Sequence, residues 1–166
     1  MTPYTTLRST LVALSLAIAL ILTGTLAMAQ KFSSYSGTKI IKTSHGYKAL
    51  VQRLGKTIKK NKIGLVNRAS ANLGAKRYLD LTILGNMVIG IYLPRFAVRM
   101  LKASVPTGIE APIRFYITEI ADKTASLTYR TPSSIFSPYE SSDLDTMARE
   151  LDSIFASIAR VAASPN

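Results

Sequence analysis

An apolar stretch near the N-terminus limits how much of this chain can fold as a compact domain. After Met1 the single charged residue before Lys31 is Arg8, and residues 9–30 are uncharged and rich in Leu, Ala and Ile. The stretch closes with Ala27-Met28-Ala29, and this arrangement is typical of a cleaved secretory signal peptide. We predict cleavage after residue 29 and a periplasmic or secreted protein. The alternative is an uncleaved N-terminal inner-membrane anchor, because the stretch approaches the ~20 residues that span a bilayer.

The rest of the chain is long enough for one domain with one core. We expect a signal peptide over residues 1–29, a flexible leading segment over 30–37 and a single domain over 38–163. The sequence contains no cysteine, which excludes disulfides, thiolate metal sites, a cysteine nucleophile and a lipidated cysteine. An exported domain without disulfides is held by packing alone, which suits a bacterial periplasm.

The positive charge of this chain is confined to one part of it. Residues 30–79 hold twelve Lys or Arg and no acidic residue, whereas residues 80–166 hold eight basic and nine acidic residues. Such an asymmetry indicates an anionic partner or surface. Nucleic acid is not expected as a partner, because export separates the protein from it.

Hydrophobic periodicity predicts five strands and three helices. The predicted strands cover residues 38–43, 65–69, 79–84, 113–120 and 125–131, and the predicted helices cover residues 46–61, 94–102 and a segment that begins at Ser142. Thr43 or Ser44 is the expected cap of the first helix and Ser142 that of the last. Residues 85–90 are expected to form a turn.

The order β-α-β-β-α-β-β-α predicts an α+β fold with two layers, in which a mainly antiparallel sheet carries its helices on one face. Tyr78, Leu84 and Tyr116 are expected on the other face. An incompletely covered sheet indicates a partner subunit or a ligand groove.

Three segments of the sequence resemble motifs of a known family. They are Ala111-Pro112-Ile113-Arg114-Phe115-Tyr116-Ile117-Thr118-Glu119, Leu127-Thr128-Tyr129-Arg130-Thr131-Pro132-Ser133 and Ile83-Leu84-Gly85-Asn86. Together they resemble the hairpin and the Gly-Asn strand end of the domain of unknown function 302 family, over residues 38–162. Met87 stands where that family usually has proline. The resemblance implies a compact α+β domain that tends to form homodimers, and it implies no agreed activity and no agreed catalytic residues.

The Gly85-Asn86 pair leads the candidates for ligand binding. Both residues tolerate a tight turn, which would explain them without a ligand, or else Asn86 and the loop amides face a groove at the edge of the sheet. Tyr129 and Glu119 are further ligand-binding candidates. Tyr129 is alternatively a core or interface residue. Glu119 is alternatively a salt-bridge partner of Arg114 or Arg130, or one of a pair of catalytic carboxylates with Asp80.

The residues indicate no established catalytic chemistry. His45 is the only histidine and has no acidic neighbour in sequence, and neither a nucleophile elbow nor a phosphate-binding glycine loop is present. We therefore assign no catalytic residue, no metal ligand and no cofactor.

A cationic face is predicted on the first helix. Lys48, Lys56, Lys59 and Lys60 share the side opposite its apolar residues, and this face is either simply solvated or contacts anionic lipid or an acidic envelope component. The leading hypothesis is a non-catalytic binding or accessory module of the cell envelope. The alternative is an enzyme that acts on a small envelope substrate near the Gly85-Asn86 loop.

Overall fold

A computed structural model describes residues 35–165 of the protein. The strands are β1 (Thr38–Gly46), β2 (Gly64–Ala69), β3 (Asn86–Tyr92), β4 (Ile113–Glu119) and β5 (Thr124–Arg130). The α-helices are α1 (Tyr47–Lys60), α2 (Ala71–Leu79), α3 (Pro94–Ala103), α4 (Pro132–Phe136) and α5 (Ser142–Ala163), and 3-10 turns cover Val105–Glu110 and Ser137–Tyr139. The predicted signal peptide, its cleavage site and most of the leading segment lie outside the described residues. Within residues 35–165 no helix is long and apolar enough to cross a membrane.

The strands form one five-stranded sheet in the order β1-β5-β4-β3-β2, and every neighbouring pair is antiparallel. β4 and β5 pair directly as an antiparallel hairpin, as their short connection predicts, and β4 is the central strand of the sheet. A register shift lies near each edge, between Thr43 and Gly46 in β1 and between Leu65 and Asn67 in β2. The α+β fold with an antiparallel sheet is thereby confirmed.

The core lies between one face of the sheet and helices α1 and α5. Leu50, Leu54 and Ile58 repeat at helical spacing along α1 and are buried against the sheet. Phe155 of α5 is buried beside Phe115 of β4, with ring centroids 4.8 Å apart. A second apolar cluster joins α3 to α4 and the first half of α5; its buried members are Phe96, Met100, Phe136, Leu144, Met147, Ala148 and Leu151.

The third strand lies later in the chain than predicted. Residues 80–85 have no regular structure, and Leu79, Leu81 and Ile83 are exposed although they alternate with polar residues as a half-buried strand would. The true strand β3 falls in the segment predicted as a turn. It pairs on both sides, so its apolar residues run almost continuously. Gly90 within it allows the Asn67 side chain to approach the backbone closely and does not form a turn, because an added Cβ would collide with Asn67 Oδ1.

Two shorter helices, α2 and α4, add to the predicted order of five strands and three long helices. α2 begins where the Ser70 side chain accepts a hydrogen bond from the Leu73 N–H, at 3.3 Å, and it buries none of its residues. The helix caps also differ from the prediction. The residue before α1 is Gly46, which has no side chain to cap the helix. Thr43 and Ser44 lie within β1, where the Thr43 hydroxyl donates to the Ala125 carbonyl. In α5 the capping residue is Ser141, one residue before Ser142.

Candidate functional site

The fold brings Gly85, Asn86 and Glu119 together at one end of the sheet. The Gly85 N–H donates to Glu119 Oε2 at 2.8 Å, and the Gly85 carbonyl accepts from the Glu119 N–H at 2.7 Å. An added Cβ on Gly85 would lie 2.6 Å from the Tyr47 ring, so glycine is required by this packing. Glu119 therefore binds a backbone amide rather than Arg114 or Arg130. Asp80, the other carboxylate considered for a catalytic pair, forms its salt bridge with Lys76.

Asn86 makes four hydrogen bonds within the protein. Its backbone N–H donates to Asn72 Oδ1 at 3.1 Å, and its own side-chain oxygen accepts from the Ala71 N–H at 2.9 Å. Its amide nitrogen donates to the Leu84 carbonyl, and its carbonyl accepts from the Tyr47 hydroxyl at 3.0 Å. Burial raises the pKa of Tyr47 above its ordinary value. These bonds fasten α2 and the following loop to the sheet, which is a structural task.

Tyr129 lies apart from this junction. It is on the helix-facing side of β5, 7% exposed, with its ring 5.4 Å from that of Phe115 and 5.9 Å from that of Phe155. Tyr129 pairs with Phe115, whereas Glu119 pairs with Ala125. Four residues along a strand correspond to about 13 Å, so Tyr129 does not share a groove with Gly85 and Asn86. Burial raises the pKa of its hydroxyl.

His45 is a structural residue at the end of β1. It is 7% exposed, and its Nε2 lies 2.8 Å from the Ser164 carbonyl. The Arg53 guanidinium donates to the same carbonyl and to that of Ala162, at 2.7 and 2.9 Å. Together they satisfy carbonyls at the C-terminal end of α5, which would otherwise lack partners. Among residues 35–165 no cluster of His, Asp and Glu has the composition to hold a metal ion.

The predicted cationic face of α1 is present and open to solvent. Lys48, Lys56, Lys59 and Lys60 are all exposed, and α1 contains no acidic residue. Salt bridges in the described part of the chain join Lys76 to Asp80 and Arg99 to Glu150, so neither neutralises α1. Lys59 and Lys60 lie in the last turn, where the helix dipole favours cations. We refer to these four lysines as the basic stripe.

A groove at the C-terminal end of α1 was missed by the sequence reasoning. Its lining combines Lys59 of the basic stripe with Lys62 and Arg68, and it also includes Gly55 and Gly64. Lys62 and Arg68 belong to the segment of residues 30–79, which contains basic residues and no acidic ones. That charge pattern is the sequence feature that could have indicated them. The charge pattern does not show that β2 lies beside α1, and the groove depends on that arrangement.

The sheet face away from the helices is only partly covered. Tyr116 lies on it, as predicted, beside Thr128 and Val88 in register, and Ile40 lies on the outer strand next to Thr128. Ile40 is 55% exposed and Tyr116 40% exposed. Leu84 and Tyr78 are exposed too, but they belong to the loop before β3 and to α2 rather than to this face.

Comparison with known proteins agrees with this architecture. The family model described as Domain of unknown function DUF302 matches residues 40–162. The crystal structure of an uncharacterized conserved protein DUF302 from Bacillus stearothermophilus is similar, with a TM-score of 0.69 at 15% sequence identity, over 78% of this chain and 99% of that chain. At that identity the likeness shows the fold alone. The search of curated proteins found no match.

Proposed function

The chain belongs to the family described as Domain of unknown function DUF302, and from this premise we propose that it is an exported, non-catalytic binding module whose basic stripe contacts an anionic surface of the cell envelope. The family assigns a fold and no reaction. The function must therefore be argued from this chain's own residues. The partner we propose is anionic lipid or an acidic envelope component.

The observation that carries the proposal is the basic stripe itself. Lys56 and Lys60 are four residues apart on one helix, and like charges at this spacing cost about 0.2–0.5 kcal/mol in an isolated helix. No acidic residue on α1 offsets the cost, and the salt bridges described above lie elsewhere. Near a membrane that carries anionic lipid, each such lysine gains about 1 kcal/mol. An anionic surface thus turns a small repulsion into a net attraction.

The alternative, an enzyme at the Gly85-Asn86 loop, has less support. An active site needs convergent polar groups that remain available to a substrate. The Asn86 side chain uses its oxygen and one of its two amide N–H groups in hydrogen bonds within the protein, its backbone N–H donates to Asn72, and one Glu119 oxygen accepts from the Gly85 amide. Tyr129 faces the core instead. The junction is better explained as the fastening of α2.

Export is the part of the proposal that concerns the segment outside the described residues. The A-x-A site at Ala27 to Ala29 supports cleavage after Ala29 and a periplasmic or secreted protein. Mass spectrometry of the protein expressed with its complete sequence should show a chain that starts at Gln30. An intact chain in the membrane fraction would instead indicate an inner-membrane anchor.

A homodimer is the further partner we propose, formed through the partly covered sheet face. Ile40 and Tyr116 offer apolar surface there that a second copy would bury. Light scattering at micromolar concentration should give twice the mass of one chain. A strictly monomeric protein would refute this part.

Vesicle binding tests the surface contact directly. The protein should bind vesicles that contain phosphatidylglycerol more tightly than vesicles of phosphatidylcholine alone, and binding should weaken with salt because exposed charges are screened within ~8 Å at physiological ionic strength. Replacing Lys56, Lys59 and Lys60 by Gln should remove about 3 kcal/mol, or roughly a hundredfold in affinity.

A control with the same loss of net charge separates a specific face from general attraction. Lys102, Lys123 and Arg149 are exposed basic residues outside α1, and replacing these three by Gln should leave most of the binding intact. The proposal fails if both triple variants bind as the wild type does, or if both lose affinity equally.

A further inference from the structure

We propose that the groove between the C-terminal half of α1 and β2 binds a phosphate monoester, carried by a lipid headgroup or free in solution. This phosphate groove is lined by Gly55, Lys59, Lys62, Gly64 and Arg68, together with apolar residues. The proposal rests on the proposed function in one respect, since it gives the anionic partner a specific chemistry. Three cationic side chains line the groove and no acidic residue does.

A bulge in β2 aims Arg68 at the groove. Leu65 pairs with Ile91 and Arg68 pairs with Ile89, so the four residues 65–68 of β2 lie opposite only three residues of β3. The extra residue reverses the alternation of side chains. Arg68 therefore shares the helix-facing side of the sheet with Ile89, whereas a regular strand would turn it to the opposite face.

The helix provides the matching space at Gly55. A Cβ added there would lie 3.0 Å from Arg68 Nη2, so the guanidinium rests against the bare backbone of α1. Glycine inside a helix is less favourable than alanine, because it loses more conformational freedom on folding. Gly55 therefore makes α1 less stable than alanine would, and it leaves room for the close approach of Arg68.

Lys62 completes the set at a backbone position that normally favours glycine. It follows α1 with φ of 56°, in the left-handed region, where its N–H donates to the Lys59 carbonyl at 3.0 Å. A lysine there is strained relative to glycine. Lys62 therefore places a cationic side chain at the residue of this turn where glycine would give a more stable backbone.

The chemistry of the three cations matches phosphate. A guanidinium presents parallel N–H donors that suit two oxygens of one phosphate group, and lysines contribute compact charges from the sides. A monoester near neutral pH carries close to two negative charges and three terminal oxygens, and so gains more from three cations than a phosphodiester does.

The first measurement is a titration of the protein with inorganic phosphate, using the form recovered after expression of the complete sequence. Backbone amide NMR signals of Gly55, Gly64 and Arg68 should shift together and saturate. Lys62→Gly and Gly55→Leu should each weaken phosphate binding at least tenfold while keeping or raising the unfolding temperature. Gly74→Leu is the matched control, because nothing lies within 4 Å of an added Cβ there, and its phosphate affinity should be unchanged.

A second measurement identifies the source of the phosphate. Vesicles with phosphatidic acid, a monoester, are compared with phosphatidylglycerol vesicles of equal surface potential, each corrected for binding to phosphatidylcholine alone. A preference for phosphatidic acid that Lys62→Gly abolishes supports a lipid headgroup. Saturable binding of inorganic phosphate at the groove without that preference supports a free phosphate compound.

The results that overturn the phosphate groove differ from those that overturn the surface contact. Phosphate shifts spread evenly over α1, or unchanged affinity in both Lys62→Gly and Gly55→Leu, would refute the groove even if vesicles bind through the basic stripe. Conversely, saturable phosphate binding at the groove with no affinity for any anionic vesicle would refute the surface contact and leave the groove established.

Discussion

Replacing Phe155 by alanine tests the architecture most directly, because this ring lies where α5 meets the sheet. The side chain is fully buried, stacked on Phe115 with centroids 4.8 Å apart and tilted against Tyr129 at 5.9 Å. Phe→Ala in a core costs about 3–5 kcal/mol, since transfer energy is lost and a cavity remains. Aromatic pairs add about 0.5–1.5 kcal/mol each, so we expect a loss in the upper half of that range.

Urea denaturation followed by circular dichroism measures this loss as a change in the free energy of unfolding. Phe155→Leu should lose less, because it keeps most of the volume and gives up the ring contacts. Val161→Ala is the control on the same helix; it is 43% exposed and should change stability by less than about 1 kcal/mol. A loss under about 1 kcal/mol for Phe155→Ala would mean that α5 is peripheral, and the packing described here would be wrong.

The other predictions concern the loop junction and one ion pair. Gly85→Ala should destabilise the protein by about 1–3 kcal/mol, because its Cβ would meet the Tyr47 ring at 2.6 Å, whereas Gly74→Ala should be neutral or stabilising. Thermal unfolding of both variants checks this, and equal effects would contradict it. The hydrogen bond from Arg99 lowers the pKa of Glu150, so the pair stabilises the fold above the carboxyl's ordinary value of about 4.3. That stabilisation should disappear as pH falls through the lowered pKa. The stability difference between wild type and Glu150→Gln should therefore shrink between pH 7 and pH 3; a difference independent of pH would refute it.

The strand error shows how far local patterns reach. Leu79, Leu81 and Ile83 alternate with polar residues as a half-buried strand does, yet all three are exposed. β3 instead contains Gly90 and follows Gly85, and glycine is a residue type that is typical of turns. They are required because Asn67 and Tyr47 approach them from elsewhere in the chain, and no window of neighbouring residues contains that information.

The candidate sites divide in the same way. The basic stripe follows from helical spacing within one segment, so its exposure was predictable. The separation of Tyr129 from Gly85 and Asn86 depends on strand register, which pairs Tyr129 with Phe115 and Glu119 with Ala125. The internal use of Asn86 depends on α2, a helix that buries none of its residues.

The sequence by itself determined the fold class, the hairpin, the amphipathic helices α1 and α5, and the face of α1 that carries lysines. Each of these follows from a repeat of 2 or 3.6 residues or from a short connection, which neighbouring residues encode. Only the tertiary structure decided which segment becomes β3, where the Asn86 hydrogen bonds go, and that Arg68 meets Gly55 beside Lys62. Those outcomes depend on pairing between distant strands, and a single bulge in β2 is enough to move a side chain from one face of the sheet to the other.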